Sequence, residues 1–65
     1  MNLDELQKIT EEVLGLRQQI ERMWETEKAK GPVTTDNYLY RRAILNLRKE
    51  VQSALDTIND ILAGQ

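Results

Sequence analysis

Four basic residues form the most localised charge in this 65-residue sequence. A spacing of i, i+1, i+7 and i+8 places all four on one side of a helix. The set is Arg41, Arg42, Arg48 and Lys49. Grouped cations of this kind bind phosphate, and the aromatic side chains of Trp24, Tyr38 and Tyr40 could stack on bases. The cluster is therefore a candidate phosphate-binding site for nucleic acid.

A simpler interpretation of the same cluster is ion pairing. Arg41 and Arg48 would flank an apolar core with their aliphatic stems. Their guanidinium groups would then pair with Glu21, with Glu25 or with carboxylates on a second copy of the chain. We favour ion pairing over phosphate binding.

Catalytic chemistry has few side chains to use in this sequence. The chain contains no histidine and no cysteine, which removes the commonest general base and the thiol nucleophile. The acidic pairs Glu21 with Glu25 and Asp56 with Asp60 are spaced four apart and fall outside the apolar positions described below. We therefore expect no enzyme, no cofactor and no metal site.

Two short segments resemble known families. The segment LRQQIERM, residues 16–23, looks like the first-helix pattern of helical chorismate mutases, but that family continues the helix where this chain has Gly31 and Pro32. Ser53-Ala54-Leu55-Asp56 is similar to the Ser-x-x-Leu-Asp motif of small aspartyl-phosphate phosphatases of sporulating bacteria, but is one residue shorter. Neither resemblance covers enough of the chain to name a family. The second leaves a phosphatase-like hairpin acting on a response regulator as a minor alternative.

Two heptad seams organise the chain, each with apolar residues at alternating spacings of three and four. The first consists of Leu6, Ile9, Val13, Leu16, Ile20 and Met23, and the second of Tyr40, Ile44, Leu47, Val51, Ala54, Ile58 and Ile61. If the helices run antiparallel, the numbers of facing residues sum to a constant. Six layers align with sums of 64 or 63, which predicts that the two seams pack against each other in a hairpin.

Capping residues set the limits of the two helices. Asn2 is a helix N-cap, Gly31-Pro32 stops the first helix, Thr34 caps the second, and Gly64 ends it. The expected organisation is a single helical-hairpin domain over residues 1–65, with a helix over about 3–30, a turn over 31–34 and a helix over about 35–63. The fold class is all-α, an antiparallel two-helix hairpin similar to a coiled coil.

Large apolar residues also lie outside the seams, more than a lone hairpin needs. The expected protein interface consists of Leu3, Trp24, Tyr38, Leu45, Leu55 and Leu62. Two hairpins packed together through these additional apolar residues would form a four-helix bundle, so we expect a homodimer. Residues 34–49 carry a formal charge of +3, whereas residues 1–16 and 50–65 carry −3 each. This distribution favours a dimer with the two turns at opposite ends.

Composition sets the remaining expectations. The net charge of −2 argues against bulk electrostatic binding of nucleic acid. No apolar run approaches the roughly 20 residues that span a bilayer, and the N-terminus lacks a signal-peptide hydrophobic region, so we expect a cytoplasmic protein that does not bind membranes. The sequence favours a small non-enzymatic regulator or adaptor that self-associates and binds another, unidentified protein. Nucleic-acid binding through the basic cluster is the first alternative.

Overall fold

The computed structural model describes residues 2–64 and contains two helices packed against each other. Helix α1 spans Leu3–Ala29 and helix α2 spans Tyr38–Ala63. The Cα atoms extend over 46 × 15 × 13 Å, the dimensions of an elongated hairpin. We call the two sides that span both helices its broad sides. The predicted all-α hairpin is therefore confirmed.

The ends of α1 follow the expected chemistry. The Asn2 side-chain oxygen accepts hydrogen bonds from the backbone amides of Asp4 at 2.9 Å and Glu5 at 3.4 Å. These bonds satisfy two amides that have no partner within the helix. At the other end Gly31 adopts φ +116°, a conformation that favours glycine because it has no Cβ. Pro32 follows directly and prevents the helix from continuing.

The start of α2 is later than expected. The Asn37 amide donates to the Thr34 hydroxyl at 3.3 Å, and the Thr34 amide donates to the Asn37 side-chain oxygen at 2.7 Å. This reciprocal pair is a capping box in which Asn37 takes the place of the usual Glu or Gln. The residues between form a turn, and regular helix begins at Tyr38 rather than near residue 35.

Half of the predicted seam lies between the helices as expected. The layers whose residue numbers sum to 64 include Leu6 with Ile58, at 8% exposure each, and Ile20 with Ile44, at 7% and 1%. The third such layer, Val13 with Val51, is half-buried. These three layers, together with Leu55, form the aliphatic core of the hairpin.

The other half of the predicted seam is wrong, because both helices are rotated so that the next residue along faces inward. The layers whose numbers sum to 63 lie outside the core, and Ile9, Leu16, Tyr40 and Leu47 are each 50% exposed. Their places in the seam are taken by Thr10, Arg17 and Trp24 on α1 and by Arg41, Arg48, Leu55 and Leu62 on α2. The rotation places Arg41 beside the carbonyl end of α1, where its guanidinium satisfies polar groups that a leucine could not.

Candidate interaction surfaces

A buried ion pair closes the hairpin beside the turn. Glu27 is 4% exposed and Arg41 is 6% exposed. The Arg41 Nε donates to the Glu27 carboxylate at 3.5 Å, and its Nη2 donates to the Glu27 backbone carbonyl at 2.8 Å and to the carbonyl of Gly31. Lys30 adds a second cation 3.3 Å from the same carboxylate. One guanidinium therefore joins α2 to the last carbonyls of α1.

A second ion pair lies midway along the hairpin. The Arg48 Nε is 3.7 Å from the Glu21 carboxylate, with side-chain exposures of 42% and 46%. This is one of the pairings expected from the sequence. Arg41, in contrast, pairs with Glu27 rather than with Glu21 or Glu25.

The candidate phosphate-binding cluster is divided by these pairs. Arg41 is buried and Arg48 faces a carboxylate, which leaves Arg42 and Lys49 as its exposed members. Arg42 makes a long hydrogen bond of 3.5 Å to the Tyr38 hydroxyl. The four residues therefore do not present four open cations to a phosphate backbone.

One broad side of the hairpin carries an apolar surface that runs along most of its length. We call it the open stripe, and it consists of Ile9, Leu16 and Met23 on α1 with Tyr40, Leu47 and Ala54 on α2. Met23 and Tyr40 line one shallow groove, which shows that the α1 and α2 halves of the stripe share this side. At this level the α1 and α2 halves of the stripe therefore lie side by side.

The opposite broad side has a smaller apolar groove near the turn. Its lining includes Trp24, Tyr38, Leu45 and Arg42. Tyr38 and Leu45 precede the stripe residues Tyr40 and Leu47 by two positions, which is about 200° around the helix. The Trp24 groove and the open stripe therefore face in opposite directions. Lys28 lies over the Trp24 ring, with its Nζ 5.9 Å from the ring centre.

The six residues expected at a protein interface do not form a single surface. Leu55 is only 4% exposed and belongs to the core between the helices, and Leu62 is half-buried beside it. Leu3 is 42% exposed near the termini. The remaining three, Trp24, Tyr38 and Leu45, line the groove on the side opposite the stripe. The placement of Leu55 and Leu62 is a correction that follows from the rotated seam.

Sequence reasoning missed the open stripe because its residues were assigned to the hairpin core. The signal was nonetheless present. Each helix has more apolar positions than one seam can bury, because Trp24 on α1 and Leu55 and Leu62 on α2 lie one residue beyond it. The buried partner of Arg41 was also missed, although Glu27 lies four residues after Met23 and so continues the spacing of the first seam.

The acidic residues lie at the surface, apart from Glu27. Asp56 is exposed and accepts a hydrogen bond of 3.1 Å from the Gln52 side chain one turn earlier. Within residues 2–64 no three acidic side chains converge in a way that could hold a metal ion. Neither of the two described helices is long and apolar enough to cross a membrane.

Comparison of the chain with protein-family models, with curated proteins and with solved structures gives no significant match.

Proposed function

We propose that this protein is a helical interaction module that self-associates through the open stripe into a four-helix bundle and serves as a small regulator or adaptor. The observation that carries the proposal is the exposure of four large apolar side chains along one side. Ile9, Leu16, Tyr40 and Leu47 each leave half of their surface in water. Burying such a contiguous surface against a partner releases water and is favourable.

The area of the broad side that carries the stripe supports this proposal. With Cα extents of 46 Å by 15 Å, a broad side offers about 700 Å² per copy, close to the roughly 800 Å² per partner found in stable complexes. A second hairpin on this side would supply the layer that the two-helix core lacks. The resulting four-helix arrangement would enclose the Leu16 and Leu47 side chains.

Nucleic-acid binding has less support than self-association. The guanidinium of Arg41, a member of the basic cluster, donates its hydrogen bonds to Glu27 and to backbone carbonyls inside the hairpin. The phosphatase-like alternative depends on Asp56, whose side chain accepts from Gln52 at the surface.

The experiment that tests self-association is light scattering coupled to size exclusion across micromolar concentrations. The wild-type chain of 7.6 kDa should give a mass near twice that value. The double variant Leu16→Glu, Leu47→Glu should give the mass of one chain, because four carboxylates would meet in the centre of the bundle. Circular dichroism should still show a helical protein, since both positions are half exposed in the hairpin.

Two matched controls locate the surface. Leu45→Glu changes a leucine on the opposite side, and Leu39→Glu changes one that is 74% exposed. Both variants should keep the wild-type mass. A wild-type mass of one chain at every concentration would refute self-association. Loss of the dimer in Leu45→Glu alone would show that the copies associate through the side of the Trp24 groove and not through the open stripe.

A further inference from the structure

We infer that the second copy docks on the open stripe with its turn at the opposite end, so that a twofold axis passes through the layer formed by Leu16 and Leu47. This inference rests on the proposed self-association and specifies its geometry. Leu16 is the central residue of α1, which spans Leu3–Ala29. An axis at this level that lies in the interface and runs perpendicular to the helices places each helix antiparallel on its own counterpart.

Side-chain volumes favour this geometry. Around an axis at Leu16 and Leu47, residue numbers of facing positions sum to 32 on α1 and to 94 on α2. Tyr40 then faces Ala54 of the second copy, so the largest side chain of the stripe meets the smallest. If the turns lay at the same end, both copies would place Met23 and Tyr40 in one layer and Ile9 and Ala54 in another. A bundle of even diameter cannot fill both of those layers well.

Charge favours the same geometry independently. Residues 2–16 and 50–64 carry −3 each, so the end of the hairpin that holds the termini carries −6. Residues 17–49, with eight basic and four acidic side chains, give the turn end +4. Opposite turns bring −6 beside +4 at both ends of the dimer. Turns at the same end would collect −12 at one end and +8 at the other, and like charges that are close together repel.

The test uses the absence of cysteine, which allows one spin label to be placed per chain. Thr35→Cys puts the label at the exposed turn, and Ala63→Cys puts it near the end of α2. Pulsed dipolar spectroscopy then measures the distance between the two copies. With a rise of about 1.5 Å per residue, opposite turns give distances of about 36 Å or more for Thr35 and about 48 Å for Ala63. Turns at the same end give distances below about 25 Å for both, because the labelled ends are then adjacent.

A third label serves as the matched control. Gln19→Cys lies on the rim of the stripe near the axis and should give a distance below about 25 Å in either geometry. Long distances for Thr35 and Ala63 with a short one for Gln19 are the expected result. Short distances for all three would overturn the inferred geometry while leaving the proposed self-association intact. A mass of one chain by light scattering would instead refute self-association itself, so the two failures are distinguishable.

Salt dependence supplies a second measurement that needs no variant. Added salt screens charge interactions, because the Debye length falls from about 10 Å at 0.1 M to about 3 Å at 1 M. In the inferred geometry the ends attract each other, so the dimer dissociation constant should rise between 0.05 M and 0.5 M sodium chloride by about threefold or more. A dissociation constant that falls with salt would indicate repelling ends and would overturn the inference.

Discussion

Ile44 and Leu47 are aliphatic residues three positions apart on the same helix, yet the first is buried in the hairpin and the second is exposed. Ile44 is 1% exposed between the helices, whereas Leu47 is 50% exposed on the open stripe. Both belong to lines with the same heptad period, so periodicity cannot distinguish them. The difference teaches that apolar spacing measures how wide a helix's apolar face is. It does not indicate which part of that face is covered by the chain's own second helix.

The largest expected effect comes from removing the buried member of this pair. Ile44→Ala should lower the free energy of unfolding by about 2–5 kcal/mol, because it leaves a cavity in the core. Leu47→Ala should cost the hairpin itself less than about 1 kcal/mol, but should weaken self-association and so make the melting temperature less dependent on protein concentration than in the wild type. Thermal unfolding followed by circular dichroism at several concentrations measures both effects. Equal losses that do not depend on concentration would show that the distinction between core and stripe is false.

The next effect concerns the polar end of the core. Arg41→Met removes the cation from the buried Glu27 and should lower the free energy of unfolding by about 2 kcal/mol. This is below the 3–5 kcal/mol typical of a broken buried pair, because Lys30 remains 3.3 Å from the carboxylate. Arg42→Met is the matched control and should change stability by less than about 0.5 kcal/mol. Urea unfolding compares the two variants. If Arg41→Met left the free energy of unfolding unchanged, the buried pair would not hold the hairpin closed.

A smaller effect sharpens the description of the stripe. Ala54→Tyr should weaken self-association about tenfold, because two tyrosines would then compete for the space between facing α2 helices. Adding Tyr40→Ala to the same chain should restore most of the affinity by returning one small residue to each layer. Ser53→Tyr, next to the stripe but outside it, is the control and should have no effect. Sedimentation equilibrium measures the dissociation constants, and no rescue in the double variant would argue against Tyr40 facing Ala54.

The smallest effect is expected at the exposed ion pair. Arg48→Gln should cost less than about 1 kcal/mol, since the Arg48 and Glu21 side chains are 42% and 46% exposed and water screens their attraction. The loss should disappear in 1 M sodium chloride. Chemical unfolding at low and high salt provides the comparison. A loss as large as that of Arg41→Met would mean that burial does not separate the two arginines.

The hairpin itself could be predicted from the sequence because several local signals agree. Asn2 and Gly31 with Pro32 fix the limits of α1, and the layers of Leu6 with Ile58 and Ile20 with Ile44 fix the register. The rotation of the helices could not be predicted, because Leu47 and Leu55 are equally apolar candidates for the same seam. Which line of residues faces inward depends on the partners that the folded turn offers to the Arg41 guanidinium. Periodicity alone does not contain that information.

The surfaces were predicted less well than the fold for a related reason. Tyr38 and Leu45 are exposed, whereas Leu55, which was grouped with them, is buried, because the predicted seam was displaced by one position. An error of 100° around a helix exchanges the inside for the outside. The charge distribution is insensitive to such a rotation, since it depends only on position along the axis.

Trp24 is the only tryptophan in the chain, and it lies in the groove on the side away from the open stripe. Its fluorescence therefore reports on one side of the molecule alone. Emission should keep the same wavelength as copies associate through the stripe, and should shift to shorter wavelength when an apolar side chain of another protein displaces water from the groove. The chain thus carries an intrinsic optical probe that separates binding of a different protein from binding of itself.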